Sequence, residues 1–362
     1  MRKPWSFIIS PGSRDASYRL LGSFFLLFDD RVGSVGSVSV SGAPTIAISN
    51  RLPEPAVEAL RAVGQVRMDE RAEAIPREDL LELVAGADAI LTLLHDRVDE
   101  ELLDAAGPQL RCVANVAVGY DNVDVAAATR RGVVVTNTPG VLDDATADLT
   151  LALILAATRR VAEGDRLVRA GRPWTWGMSF MLGTDLRGKL LGIVGLGGIG
   201  SKVAERARAF GMEVAYHSRR PAPDDVVAEL GAERMPLERL LAEADVLSLH
   251  CPLTPETHHL IGGAELAAMK PSAVLVNAAR GPIVDERALA EALAAGRIAA
   301  AGLDVYEHEP RVEPGLLALE NVVLAPHLGS ATVETRTAMA ELAARNAISV
   351  LSGQGPLTPV AS

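Results

Sequence analysis

Leu191-Gly-Ile-Val-Gly-Leu-Gly-Gly-Ile-Gly200 decides the fold of this chain. Gly195, Gly197 and Gly200 spell G-x-G-x-x-G directly behind an apolar run of strand character and ahead of a helix. Gly195 permits a tight turn, Gly197 lets the backbone approach a ligand, and Gly200 lets helix and strand pack closely. Leu196, Gly198 and Ile199 fill the remaining positions. The helix starts with free N–H groups and a partial positive charge, which suit a pyrophosphate. Glycine runs often serve only as turns. The strand–turn–helix setting makes this one a dinucleotide cradle.

The same alternation extends in both directions. Strand-like runs occupy 190–194, 213–217, 246–250, 274–277, 301–303 and 322–324. Upstream, 45–49, 89–94, 111–115 and 133–136 read as strands, with helices at 53–63 and 99–106. Strands alternating with helices at this spacing predict parallel sheets built from βαβ units, an α/β fold. After the Asn137-Thr-Pro-Gly140 turn, Asp143 or Asp144 is expected to cap a helix running to Arg160. That helix is apolar almost all round (Leu149, Leu151, Leu153, Ile154, Leu155), which predicts burial between domains or in a subunit interface. The first domain boundary is placed there. Trp174 and Trp176 follow in a Gly/Pro-flanked connection. A long helix over 332–351 has no place in the second block and is expected to return to the first domain.

A length of 362 residues suits two domains. The net charge of −11 argues against a general affinity for nucleic acid or anionic membrane, so an anionic substrate must be gripped by local cations. Cys112 and Cys251 are too few and too far apart for a disulfide framework or a Cys-rich metal site, as suits a reducing cytoplasm. Residues 1–43 differ in character. The apolar run 20–28 is too short to span a bilayer, and only Ser-x-Ser follows where export would favour Ala-x-Ala. A disordered extension, or a true start further along, is the expectation, and the working protein is expected to be soluble.

An NAD enzyme would place Asp or Glu roughly 20 residues beyond the glycines, on the adenine ribose. Here Tyr216-His-Ser-Arg-Arg220 puts Ser218 in that place, beside Arg219 and Arg220. A hydroxyl with two guanidinium groups suits a 2′-phosphate, so NADP is the expected cofactor over NAD. Three polar groups just past later strands are candidates for the chemistry: Arg280, Glu309 and His327. Reduction of a 2-oxo acid needs a cation for the carboxylate and a proton donor for the carbonyl. Arg280 can clamp, His327 can donate near neutral pH, and Glu309 can favour the protonated imidazole. Alone, each has a bland explanation as a surface charge or a structural histidine. The set, on a nucleotide-binding fold, does not.

These segments resemble the D-isomer-specific 2-hydroxyacid dehydrogenase family, within it the glyoxylate/hydroxypyruvate reductase branch. The resemblance runs from Thr45 onward. It is carried by Val116-Ala-Val-Gly-Tyr-Asp-Asn122, the glycine segment, Asn277-Ala-Ala-Arg-Gly281, Gly302-Leu-Asp-Val-Tyr306 with Glu309-Pro310, and Pro326-His-Leu-Gly-Ser330. It implies two Rossmann-like domains with parallel sheets, the cofactor domain (143–329) inserted into the substrate domain (44–142 and 330–362). It implies Arg280 as the substrate-binding arginine, His327 as proton donor and Glu309 as its acidic partner. Val118 and Gly119 match backbone donors to the substrate carboxylate. Asp304 matches a residue near the nicotinamide carboxamide. Cys251, Pro252 and Thr257 match a loop lining the cofactor, with Ala278, Ala279 and Gly329 also expected beside it. A homodimer is implied, formed in part by the apolar helix near residue 150.

No metal is expected. His95, His217, His250, His258, His259 and His308 show no ligand spacing, and adjacency keeps the His258 and His259 rings off one helical face. Two other assignments fit the same residues less well. An NAD-dependent phosphoglycerate dehydrogenase would carry an acid at the Ser218 position. A dinucleotide-sensing protein, resembling the corepressors that share this fold, would need a docking segment for a partner. A 2-ketogluconate reductase fits equally, because specificity for the substrate's side chain lies in loops without a motif.

Overall fold

Short runs of Val, Ile, Leu and Ala, buried on both faces, form two parallel sheets in the computed structural model, which describes residues 42–71 and 73–360. Expectations placed on residues 1–41 lie outside that range. The first sheet contains β1 (Thr45–Ile48), β2 (Gln65–Met68), β3 (Ala89–Thr92), β4 (Cys112–Asn115) and β5 (Val134–Thr136), ordered β2-β1-β3-β4-β5. The second contains β6 (Leu190–Val194), β7 (Glu213–His217), β8 (Glu233–Arg234), β9 (Val246–Leu249), β10 (Val274–Asn277), β11 (Ala300–Leu303) and β12 (Val322–Leu324), ordered β12-β11-β10-β9-β6-β7-β8. Helices cover both faces of such sheets, so their strands read as continuous apolar runs, not alternations. β3, β4, β9 and β10 are buried at every position.

Two strands escaped the sequence. β2 is half exposed and β8 is two charged residues, both on sheet edges where one flank meets water. Edge position removes the hydrophobic signal that marks a central strand.

In the second sheet the order reverses between β6 and β9, which pair directly. Ligands of open α/β sheets lie outside the carboxyl ends of the strands at such a switch point. The glycine turn follows β6, the Cys251 loop follows β9 and Arg280 follows β10, so connectivity alone gathers them at one end.

The helix Asp143–Thr158 begins where the domain boundary was expected, and its cap corrects the sequence reading. It lies against the helix Gly198–Ala209 and against β10 and β11, and its Leu151, Leu153 and Ile154 share a core with Leu191, Ile193 and Val276. Much of its apolar surface therefore covers the second sheet. Its N-cap is Leu142, with no side-chain cap. Asp143 and Asp144 instead sit in the first turn, where the helix dipole favours acids.

The final helix, Val333–Leu351, is capped by Thr332, whose hydroxyl accepts from Thr335 N at 3.1 Å. It packs on the helix Glu54–Arg61 and on β3 and β4. Arg111 of the first sheet donates to the carbonyls of Val350 and Leu351, filling the helix's last acceptors. The chain thus returns to the first sheet after completing the second. No helix among the described residues is long and apolar enough to cross a membrane.

Candidate active site

A cleft of about 680 Å³ is walled by residues that follow β4 and β5 of the first sheet and β6, β7, β9 and β10 of the second. Gly197, Gly198, Ile199, Arg219, Cys251, Pro252, Ala278 and Ala279 form part of one side; Val118, Gly119, Tyr120 and Asp121 form part of the other. Arg280 walls the same space.

The glycine turn shows why these positions exclude side chains. Gly195 has φ 98°, and a Cβ there would meet the Cys251 nitrogen at 2.7 Å. A Cβ on Gly200 would overlap the Gly195 carbonyl. Gly197 caps the helix Gly198–Ala209 with no side chain to occupy its free N–H groups. Beside that helix start stands the Asp143 carboxyl, its pKa raised by burial and then by neighbouring Asp144.

The turn after β7 is set by Tyr216, buried in the core, whose hydroxyl accepts from Ala222 N at 3.3 Å. Ser218 Oγ donates to the Arg220 carbonyl at 2.6 Å. Arg219 is exposed and faces the cleft, whereas Ser218 and Arg220 do not wall it. Arg234, on the unpredicted edge strand β8, donates to the carbonyls of Ser218 and Arg219 at 3.1 and 3.4 Å. It brings a third guanidinium to this turn. Thr257, expected to line the cofactor, is buried and spends its hydroxyl on the Pro252 carbonyl at 2.7 Å and the Thr254 amide at 2.8 Å. It shapes the loop; neighbouring Leu253 and Thr254 wall the cleft.

At the other end, the loop after β4 is held by two amides. Asn137 Nδ2 donates to the Val118 carbonyl at 2.8 Å and Asn115 Nδ2 to the Gly119 carbonyl at 2.9 Å. Arg280 reaches across from the second sheet: Nε donates to Asp121 Oδ1 at 2.8 Å, and Nη1 to the Ala279 carbonyl at 2.9 Å. A Cβ on Gly119 would overlap Nη2, so only glycine admits the guanidinium so close. Asn277 fixes the turn, donating to the Arg280 carbonyl at 2.8 Å and accepting from Ala279 N at 3.1 Å. Asp121, quoted in the motif but given no role, is thus the partner that aims the arginine.

His327 Nδ1 and Glu309 Oε2 are 2.9 Å apart. His327 holds a left-handed φ of 54°, a region uncommon for side-chain-bearing residues but visited by histidine more than most, and donates its N–H to the Asp304 carbonyl at 2.8 Å. The Asp304 carboxylate, buried, accepts from Leu328 N at 2.6 Å and Gly329 N at 2.8 Å. Burial raises its pKa against those two amides. Glu309 Oε1 accepts from Tyr306 N at 3.0 Å. Burial also opposes the Glu309 carboxylate, but the His327 hydrogen bond and charge, the Tyr306 amide and the Arg280 charge outweigh it, and its pKa falls. The pair stands beside Arg280 in electrostatic terms without walling the cleft; its side chains are 25% and 32% exposed. Leu196, Asp304 and Gly329 do not wall it either.

Two half-buried groups that wall the cleft are electrostatically quiet. Burial pushes the Cys251 thiol up to about 11 and His250 down to about 4, so neither is charged near neutral pH. The metal-ligand expectation needs correcting. His258 and His259 lie in a turn, not a helix, and a φ of 50° at His259 stacks the two rings with centroids 4.2 Å apart. Glu307 joins them, its Oε1 2.8 Å from His259 Nε2. Each of the three offers one possible ligand atom, and these atoms lie within 4.8 Å of one another, a grouping that the spacing in sequence did not show.

The glycine cradle, the exposed helix start and the Arg219 turn fit a nicotinamide dinucleotide, whose phosphates need N–H donors and close backbone. The sequence profile described as "D-isomer specific 2-hydroxyacid dehydrogenase, NAD binding domain" matches residues 151–329. Glyoxylate reductase of Thermococcus litoralis is 49% identical over 318 residues, 86% of this chain and 95% of that protein. Glyoxylate reductase of Aeropyrum pernix is 52% identical over 319 residues, 86% and 94% of the two chains. The crystal structure of an NADPH-dependent glyoxylate/hydroxypyruvate reductase from Sinorhizobium meliloti, in complex with NADP and malonate, aligns with a TM-score of 0.77 at 38% identity, covering 88% of this chain and 97% of that one. A nucleotide cradle, an arginine aimed into the cleft and a His–Glu pair thus occur in a chain closely similar to these enzymes: it belongs to the D-isomer-specific 2-hydroxyacid dehydrogenase family, in its glyoxylate reductase branch.

Proposed function

We propose that the protein reduces short 2-oxo acids such as glyoxylate and hydroxypyruvate to the D-2-hydroxy acid, with NADPH as the preferred cofactor. The observation that carries this is the His327–Glu309 pair at 2.9 Å, with Arg280 near enough for its charge to lower the Glu309 pKa. Arg280 holds the substrate carboxylate, with the Val118 and Gly119 amides as further donors. When bound, the reduced nicotinamide supplies a hydride to the carbonyl carbon. Protonated His327 gives its Nε2 proton to the carbonyl oxygen, while Nδ1 stays on Glu309, which stabilises the imidazolium until transfer. The glycine segment, Arg219 and the loop carrying Cys251 and Pro252 hold the cofactor, and Asp304 orients its carboxamide. The close reductase relatives, and Ser218 in place of an acid, favour this over a phosphoglycerate dehydrogenase or a sensor. Steady oxidation of NADPH by glyoxylate with the purified protein tests it; binding without turnover would favour the sensor.

NADP preference rests on Ser218, Arg219 and Arg220, with Arg234 beneath them. Ser218→Asp combined with neutral residues at 219 and 220 shifts preference toward NADH, since a carboxylate pairs with ribose hydroxyls and repels a 2′-phosphate. An unchanged ratio of kcat/KM for the two cofactors would overturn that assignment.

Residues 143–329 are proposed as the cofactor domain, with 44–142 and 330–362 forming the substrate domain, in a cytoplasmic homodimer. Val161, Val168, Trp176, Met178 and Leu182 are each at least 58% exposed on the arm after the helix Asp143–Thr158, an apolar stretch suited to a second copy. Sedimentation equilibrium at twice the monomer mass is expected, and a monomer at micromolar concentration would remove the dimer.

A further inference from the structure

Glu286 is a buried acid with no cation against it among the described residues. Only 5% of it is exposed, and it opens the helix Glu286–Ala294, whose cap is its neighbour Asp285. Glu286 Oε1 accepts from the Glu307 amide, and Oε2 accepts from the Glu313 amide at 3.2 Å. Those two amides bracket the loop that carries Glu309. Consecutive N–H groups are thereby shared between two acids: Tyr306 N serves Glu309, and Glu307 N serves Glu286. The same spot is pinned from another side, because a Cβ on Gly281 would overlap the Tyr306 carbonyl carbon and oxygen and the Glu307 nitrogen. Gly281 directly follows Arg280. One short segment therefore ends in the arginine, touches the Glu309 loop through Gly281, and grips that loop through Glu286.

A buried carboxylate is costly unless its oxygens are satisfied, and here both are satisfied by loop amides, not by a charge partner. Burial raises the pKa of Glu286, with Glu307 and Glu313 adding to it against the two amides. An acid that fixes two peptide planes makes sense where orientation matters more than stability.

We infer that Glu286 is a positioning residue for the Glu309–His327 pair: by gripping the amides of Glu307 and Glu313 it holds the Glu309 carboxylate on His327 and in register with Arg280. The inference rests on the proposed roles of Glu309 and His327, and its test separates the two. Glu286→Gln keeps the volume but turns one acceptor into a donor facing an amide N–H, so one grip is lost. The expected result is a kcat for glyoxylate lower by about 10- to 100-fold, the scale of a small misplacement of a catalytic group. KM values for glyoxylate and NADPH stay within about twofold, since neither binding surface is touched. The alkaline limb of the kcat profile moves to lower pH, because a looser Glu309 supports the imidazolium less.

A double-mutant cycle decides the mechanism. If Glu286 acts through Glu309, then Glu286→Gln placed on Glu309→Gln costs little more than Glu309→Gln alone. Multiplicative losses in kcat, or a wild-type kcat and pH profile with only a lower Tm, would overturn the inference. Should Glu309→Gln itself leave kcat unchanged, the pair's own role fails and the inference falls with it. Titration of NADPH by fluorescence shows that each variant retains a folded cofactor site. Gly281→Ala supplies a second route: it forces the same peptide aside without altering charge, and a loss of kcat is expected together with a raised KM for glyoxylate, because Arg280 is the next residue.

Discussion

Replacement of His327 by alanine lowers kcat for glyoxylate reduction by on the order of 10²- to 10⁴-fold, the usual contribution of a general acid. The imidazole is held at three points: its backbone N–H on Asp304, its Nδ1 on Glu309, and a left-handed φ that aims the ring. With Nδ1 committed, Nε2 is the nitrogen left to donate. Glu309 is held below its ordinary range, with burial opposing and the His327 hydrogen bond and charge, the Tyr306 amide and the Arg280 charge prevailing, so it stays ionised as partner of the imidazole. NADPH binding persists in His327→Ala. A variant that kept kcat would show that another group supplies the proton.

Replacement of Arg280 by alanine lowers kcat/KM for glyoxylate by about 100-fold or more, as expected when a desolvated charge pair loses one member. The effect enters through both substrate binding and Asp121, which is left without its guanidinium. Arg280→Lys recovers part of the charge but not the planar fork, and KM stays raised. A neutral aldehyde provides the control, because it offers no carboxylate for the clamp. Equal losses for glyoxylate and for the neutral aldehyde would remove the clamp and leave only a structural role.

Much of this site was legible in the chain. The glycine turn, the central strands and the trio Arg280, Glu309 and His327 were each visible because a strong local rule marks them. Glycines mark close backbone, continuous apolar runs mark doubly covered strands, and polar residues just past a strand mark the ligand end of a parallel sheet. Asp121 and Arg234 were harder to see. Asp121 pairs with an arginine 159 residues away, and Arg234 sits on a two-residue edge strand with no hydrophobic pattern. At Thr257 the structure adds what the residue type does not show, a hydroxyl turned inward to shape its own loop.

The sequence by itself determined the α/β class, the nucleotide cradle and the residue types available for reduction, because those follow from local periodicity and from glycine's missing side chain. Tertiary structure alone decided how the groups are aimed. Asp121 turns Arg280, the 281–286 segment grips the Glu309 loop, and the helix after residue 143 covers the second sheet. Those are contacts between residues far apart in the chain, formed only when loops from different strands close on one another, and no local pattern encodes them.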